Sequence, residues 1–247
     1  MNGLVLSVFP GIDLLGRAFE EEGYCVVRGP DVIWGGDVRT FHPPAGMFEG
    51  VIGGPPCGAF SRLRHIVKQN GYKPRFGNLI PEFERVVAEA QPRWFLMENV
   101  AEAPLPSVPH YSVYSVAFKD VHVGGLTDRL RVFSFGTSDG SHWRLTVDFV
   151  ALHPQPEHSA LASGAGRPVP VAIGGSGKVK RSERSALKNY DYKTNASLCD
   201  HLRKQGLPED FLADSPFTVA GKVSAVGNGV PMAMGRAIAK AVRRAVN

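Results

Sequence analysis

The feature that most narrows the fold is an alternation of short apolar runs with segments of helical period. Leu4 to Phe9 is apolar except for Ser7 and stops at Pro10-Gly11, after which Leu14, Leu15, Ala18 and Phe19 recur at helical spacing before Gly23. That order reads as strand, turn, helix. Tyr24 to Val27 reads as a second strand and Gly50 to Gly54 as a buried one, while Leu79, Phe83, Val86, Val87 and Ala90 share one helical face that Pro92 closes. Trp94 to Met97, Val113 to Phe118 and Val132 to Phe135 continue the series of strands. Strands this uniformly apolar are covered on both faces, so the pattern predicts an α/β fold with a mostly parallel sheet and helices on both sides.

Texture divides the chain. From Asp139 to about Thr194, Gly and Pro are scattered, and one strand is predicted, Leu145 to Val150. The end regains periodicity: Pro231 is placed to start a helix whose Met234, Ile238, Ala241 and Val242 share a face. The expected organisation is a main domain from residues 1–136 with 216–247, and a small basic region over residues 137–215. The chain has 247 residues, 43% of them apolar and 21% charged, which excludes a disordered or collagen-like chain. Its net charge of +5 is matched by the stretch between Gly164 and Asn195 alone, where seven basic residues face two acidic ones. Such a run is a solvated loop or a contact surface for a polyanion.

Cys25, Cys57 and Cys199 are odd in number and far apart. They predict neither a disulfide framework nor a zinc site, and no metal is expected. The opening apolar run is too short for a signal peptide or a membrane span, so a soluble, cytoplasmic protein is expected.

Three strand ends carry groups that could do chemistry. Gly53-Gly54-Pro55-Pro56-Cys57 follows a buried strand, which puts a thiol on the carboxyl edge where open α/β sheets bind ligands, in a loop stiffened by two prolines. Glu98 closes the next buried strand, and Arg129 and Arg131 precede another. Taken singly, each reads as a core cysteine, a solvated carboxylate or a surface ion pair. Their joint placement predicts a site. The first turn holds Gly11 but no GxGxxG, and Asp31 lies 20 residues beyond it, the spacing at which a carboxylate can take ribose hydroxyls. Asp37 follows at a second Gly-rich turn; both acids are also ordinary turn formers.

The ordered set FPGIDLLG, GGDV, GGPPCGAFS, GNL, MENV, TDRLRVFSFG, RKQGLPEDF and VGNGVP resembles the motif series of the DNA (cytosine-5) methyltransferases. The resemblance spans most of the chain and rests on the order of the pieces. It implies a class I, Rossmann-like methyltransferase using S-adenosylmethionine, with a small target-recognition region and double-stranded DNA as partner. Cys57 would be the nucleophile on C6 of a flipped cytosine, Glu98 the acid at N3 and Arg131 the group holding O2, with Arg129 in support. For the cofactor, the similarity points to Phe9 on the adenine, Gly11 at the turn, Asp31 on the ribose, Asp37 on the adenine amine, Pro55 and Leu79 lining the pocket, and Asn228 near the methionine end. Ser61, Lys178, Lys180, Arg181 and Arg184 would meet DNA. A monomer is expected, with a restriction system or a specificity subunit as companion.

The sequence departs from the family at three points. Gly58 follows the cysteine where glutamine is usual, Thr127 opens the arginine motif in place of glutamine, and Asp13-Leu14 stands where a second glycine is common. Only 61 residues, 137 to 197, separate Gly136 from Leu198, which predicts a short or relaxed recognition sequence. Two other functions fit parts of the pattern: cytosine-5 methylation of tRNA, and a catalytically silent DNA- or cofactor-binding module.

Overall fold

The structure, a computed structural model, describes residues 3–57, 60, 77–138, 144–151, 156 and 195–246. Its strands are β1 (Leu4–Val8), β2 (Cys25–Arg28), β3 (Gly50–Gly53), β4 (Trp94–Asn99), β5 (Ser112–Lys119) and β6 (Leu130–Thr137). The helices among the described residues are α1 (Leu14–Glu21), α2 (Ile80–Ala90), α3 (Asn195–Lys204), α4 (Val219–Asn228) and α5 (Met232–Val246). The sheet order is β2-β1-β3-β4-β6-β5. β1 pairs in parallel with β2 and β3, β3 in parallel with β4, and β6 runs antiparallel to β4. This is the mostly parallel, doubly covered sheet that the apolar runs predict. β3 and β4 are buried along their whole length, as strands with helices on both sides must be.

Successive residues of β4 point to opposite faces, and each meets a different helix. Trp94 stacks on Phe19 of α1, ring centroids 5.9 Å apart, whereas Phe95 meets Phe83 of α2 edge-on at 5.9 Å. Leu6, Val8, Val51 and Met97 join Phe95 against Ile80, Phe83, Val86, Val87 and Ala90. Removing a ring as buried as Phe83 costs about 3–5 kcal/mol, transfer and cavity together. α2 starts where Asn78 Oδ1 accepts from Ile80 N at 3.0 Å and ends at Gln91, which is left-handed at φ 48°, one residue before Pro92.

The chain forms two compact units. The first comprises Met1–Phe118, Leu130–Asp148 and Arg236–Asn247; the second comprises Lys119–Arg129 and Phe149–Gly235. In the first, Arg236 of α5 pairs with Glu21 of α1 at 2.6 Å. In the second, the buried Gln205 donates from Nε2 to Val226 O (2.8 Å) and Gly229 O (3.1 Å), tying the end of α3 to the end of α4.

The segment Leu145 to Val150 is not a strand, which corrects the sequence expectation. Both edges of β6 are already taken, by β4 and β5. The segment is held instead by the buried side chain of Leu145 and by Asp148, which pairs with Arg244 at 2.8 Å and Lys240 at 3.4 Å. Among the described residues, no helix is long and apolar enough to cross a membrane, and no cluster of three or more His, Cys, Asp or Glu side chains could hold a metal.

Candidate active site

The parallel pairing of β3 with β4 sets Gly53 opposite Met97, so the PPC loop and Glu98 leave the sheet side by side at its carboxyl edge. Two contacts fix the loop there. Asn99 Nδ2 donates to Pro55 O at 3.3 Å, while Asn99 Oδ1 accepts from Val100 N at 2.9 Å. A Cβ at position 54 would sit 3.0 Å from Glu98 Oε2, so a side chain there would press on the carboxylate. Cys57 is half-buried, and its carbonyl accepts from Phe60 N at 2.8 Å. The loop is thus braced on both sides of the thiol.

The antiparallel register of β4 with β6 sets Glu98 opposite Phe133. Arg131, two residues from Phe133, therefore lies on the same sheet face, diagonally across from Glu98. The side chains meet: Arg131 Nε is 2.7 Å from Glu98 Oε1, with only 15% and 11% of the two side chains exposed. Arg131 Nη1 also donates to Leu130 O at 2.7 Å. Thiol-bearing loop, carboxylate and guanidinium thus stand at one edge of three adjoining strands.

Arg129 belongs to the second unit, where its Nη1 donates to Gly227 O at 3.1 Å. The loop that carries it is closed by Asp120, whose Oδ2 accepts from Thr127 N (3.0 Å) and Thr127 Oγ1 (2.8 Å). Asp120 is fully buried, and desolvation pushes its carboxyl above the usual range, opposed by the Thr127 hydrogen bonds and the charge of Arg129. Asn228, exposed, ends α4 in the same unit.

Next to the PPC loop is a cavity of about 220 Å³ lined by Phe9, Pro30, Asp31, Val32, Gly36, Asp37, Val38, Arg39, Pro56, Gly77 and Leu79. Four residues singled out in the sequence converge here: Phe9, Asp31, Asp37 and Leu79. Gly11 contributes from behind, its N–H donating to Asp31 Oδ2 at 2.9 Å. Pro56 rather than Pro55 faces the cavity; the Pro55 carbonyl is the one Asn99 holds. Asp31 and Asp37 each cap a short 3-10 turn, Val32–Trp34 and Val38–Thr40. Asp37 is paired with Arg39 at 2.6 Å, which holds its carboxyl below the usual range and therefore ionised. Phe9 has φ 56°, a left-handed strain for an aromatic residue of the kind that collects at ligand sites.

Sequence patterning alone does not single out Pro30, Val32, Val38, Arg39 and Asn99, nor Trp34, whose Nε1 donates to Gly11 O at 2.8 Å. The Gly-Pro and Gly-Gly punctuation of GPDVIWGGDV is the available signal for most of them. Gly58, Ser61, Lys178, Lys180, Arg181 and Arg184 lie outside the described residues.

The mostly parallel sheet with helices on both faces is a Rossmann-like fold, and the strand-end groups stand at its carboxyl edge. Residues 35–106, which include the PPC and ENV motifs, match the family model for C-5 cytosine-specific DNA methylases. The chain is 31% identical over 154 residues to the Type II methyltransferase M1.HphI of Haemophilus parahaemolyticus, covering 57% of this chain and 38% of that protein. It is 26% identical over 251 residues to the Type II methyltransferase M.NgoFVII of Neisseria gonorrhoeae, covering 90% of this chain and 65% of the relative. In both alignments, then, the chain spans less than two thirds of the relative. The Entamoeba histolytica methyltransferase EhMeth shares the fold, with a TM-score of 0.63 at 11% identity over 100% of this chain and 99% of that one. Over residues 35–106 and along these alignments, the chain is similar to the C-5 cytosine-specific DNA methylases.

Proposed function

We propose that this chain transfers a methyl group to C5 of cytosine in double-stranded DNA. The observation that carries the proposal is the Glu98–Arg131 pair beside Gly54 of the PPC loop, which offers a proton-holding carboxylate and an anion-holding guanidinium to one base against one thiol.

S-adenosylmethionine suits the cavity between Phe9 and Leu79. An adenosine needs apolar walls and two well-placed acceptors; Phe9, Val32, Val38, Pro56 and Leu79 supply the walls, and Asp31 and Asp37 the acceptors. Asp31 would take the ribose hydroxyls and Asp37, kept ionised by Arg39, the adenine amine. When bound, this cofactor supplies a methyl on a sulfonium, electrophilic enough for a carbon nucleophile.

Cytosine C5 is a poor nucleophile until electron density is pushed onto it. Cys57 Sγ adds to C6, Glu98 holds a proton at N3, and Arg131 holds O2, so the charge that develops in the ring is met by groups already in place. Once C5 carries the methyl, its proton leaves to a base and the Cys57–C6 bond breaks, returning the thiolate. The base must leave the helix stack for this, at a cost of a few kcal/mol. Ser61 beside the loop and the basic residues Lys178, Lys180, Arg181 and Arg184 would hold the phosphates. The relatives' Type II designation makes a sequence-matched restriction endonuclease the companion activity to look for.

The test is transfer of labelled methyl from S-adenosylmethionine to unmethylated genomic DNA and to total tRNA in parallel. Label in DNA at cytosine C5 is expected. Label only in tRNA, or in neither, contradicts the proposal.

A further inference from the structure

We infer that Asp13 is a positioning residue for the cofactor turn, its carboxylate tethering the turn to the ends of β1 and β2 and to the start of α1. The inference rests on the reading of the Phe9–Leu79 cavity as the S-adenosylmethionine site. The turn from Phe9 to Asp13 joins β1 to α1 with three left-handed residues in five: Phe9 at φ 56°, Gly11 at 57° and Asp13 at 55°. Two of the three carry a Cβ, so the conformation needs support from outside the backbone. Aspartate is among the few residues that visit this region readily, because its short side chain can bond locally.

Asp13 supplies that support to three segments at once. Its Oδ1 accepts from Ser7 Oγ of β1 at 2.7 Å and from Gly16 N, in the first turn of α1, at 3.1 Å. Its Oδ2 lies 2.9 Å from Arg28 Nε at the end of β2. Asp13 is 4% exposed, so its own carboxylate is shielded from water, while the Arg28 side chain is 47% exposed. Ser7 is also the register partner of Arg28, and Gly29 N donates to Ser7 O at 2.8 Å, so the ends of β1 and β2 are clamped together directly below the turn.

The two cavity groups on these segments are Phe9, one residue beyond β1, and Asp31, three residues beyond β2. Asp31 Oδ2 in turn accepts from Gly11 N, in the middle of the turn. The spacing between the aromatic wall and the ribose acceptor is therefore set through Asp13. Gly16 belongs to the same device: a Cβ there would collide with both carboxylate oxygens of Asp13, so a side chain at 16 and the carboxylate at 13 exclude each other. The charged groups facing Asp13 are Arg28 from β2 and Glu20 from α1, with the Ser7 hydroxyl from β1. The tether thus combines two hydrogen bonds to Oδ1, from Ser7 and Gly16, with an ion pair from Oδ2 to the half-exposed Arg28.

The experiment is calorimetric binding of S-adenosylhomocysteine to the full chain and to the variants Asp13→Gly, Asp13→Asn and Ser7→Ala, with cofactor KM and kcat measured alongside. Asp13→Gly keeps the left-handed angle and loses the tethers; it should bind about tenfold more weakly and raise the cofactor KM equally, with kcat at saturation within about twofold. Asp13→Asn, which keeps the angle and an acceptor for Ser7 and Gly16, should recover most of that loss. Ser7→Ala removes one tether and should weaken binding about threefold, and it carries the test where Asp13→Gly does not fold. Parent-like affinity in both Asp13→Gly and Ser7→Ala, or a fall in kcat with cofactor KM unchanged, overturns the inference. A parent that binds no S-adenosylhomocysteine overturns the reading of the cavity instead.

Discussion

Glu98 Oε1 and Arg131 Nε lie 2.7 Å apart, joining the carboxyl end of β4 to the beginning of β6. Each group offsets the other's desolvation, so removing either one leaves its partner charged, shielded and unpaired. An incoming cytosine would have to take over part of that pairing, N3 facing the carboxylate and O2 facing the guanidinium. Glu98→Gln should lower kcat by 100-fold or more, about the lower bound for losing a positioned acid, and leave the cofactor KM within about twofold. A kcat unchanged in steady-state methyl transfer would remove Glu98 from the mechanism. Arg131→Lys should not restore activity, because a point charge lacks the planar fork.

Asn99 makes a separate claim. Its amide holds the Pro55 carbonyl and thereby the entry to Cys57. Asn99→Ala leaves a buried carbonyl without its donor and should cost about 1–3 kcal/mol of stability. It should also reduce kcat about tenfold through misplacement of the thiol. Denaturant unfolding and kinetics on the same preparation read the two effects separately.

At the cofactor cavity, Asp37→Ala should weaken S-adenosylhomocysteine binding about tenfold. Arg39→Ala should cost much less, since an exposed ion pair holds little net energy and Asp37 is anchored as well by the Arg39 backbone N–H at 3.0 Å.

Stability should carry a pH signature from Asp120, whose carboxyl is raised by burial. The folded state then binds a proton at a pH where the unfolded chain has released it, so this group's contribution is full below the ordinary carboxyl range and is lost as pH rises through the raised value. Asp120→Asn removes the dependence. The parent should therefore gain on the variant as pH falls from 7 toward 4, read as the difference in denaturant midpoint. A constant difference contradicts the assignment.

Removing charge at Lys178, Lys180 and Arg181 should weaken DNA binding and flatten its salt dependence, the log–log slope falling by about 0.9 for each phosphate that is no longer neutralised. No change at low salt would make the basic stretch a solvated loop.

Much of the scaffold is legible in the sequence because its signals are local. The apolar runs that form β1, β3 and β4 need no partner to be recognised, and a thiol or carboxylate directly after such a run must sit at the sheet edge. What the sequence does not show depends on contacts between distant residues. Asn99 reads as one more polar residue until β3 and β4 are paired, and Pro55 and Pro56 are equivalent until the loop turns. α3 hides its inward face behind polar residues, since His201 and Gln205 are buried beside Leu202. α4, VAGKVSAVGN, pairs glycines with β-branched valines and has little intrinsic helical preference. The expected strand at Leu145 to Val150 has the right composition, but no edge of β6 is left for it.

The most direct test of the central claim is to trap the bond between Cys57 and the base. In duplex DNA carrying 5-fluorocytosine, the fluorine at C5 cannot leave as a proton does, so the last step stalls with the thiol still attached. With S-adenosylmethionine present, intact-mass analysis should show a denaturation-resistant adduct of one chain with one DNA, absent in Cys57→Ala. Turnover in Cys57→Ala, or an adduct mapped to Cys25 or Cys199, would contradict the account.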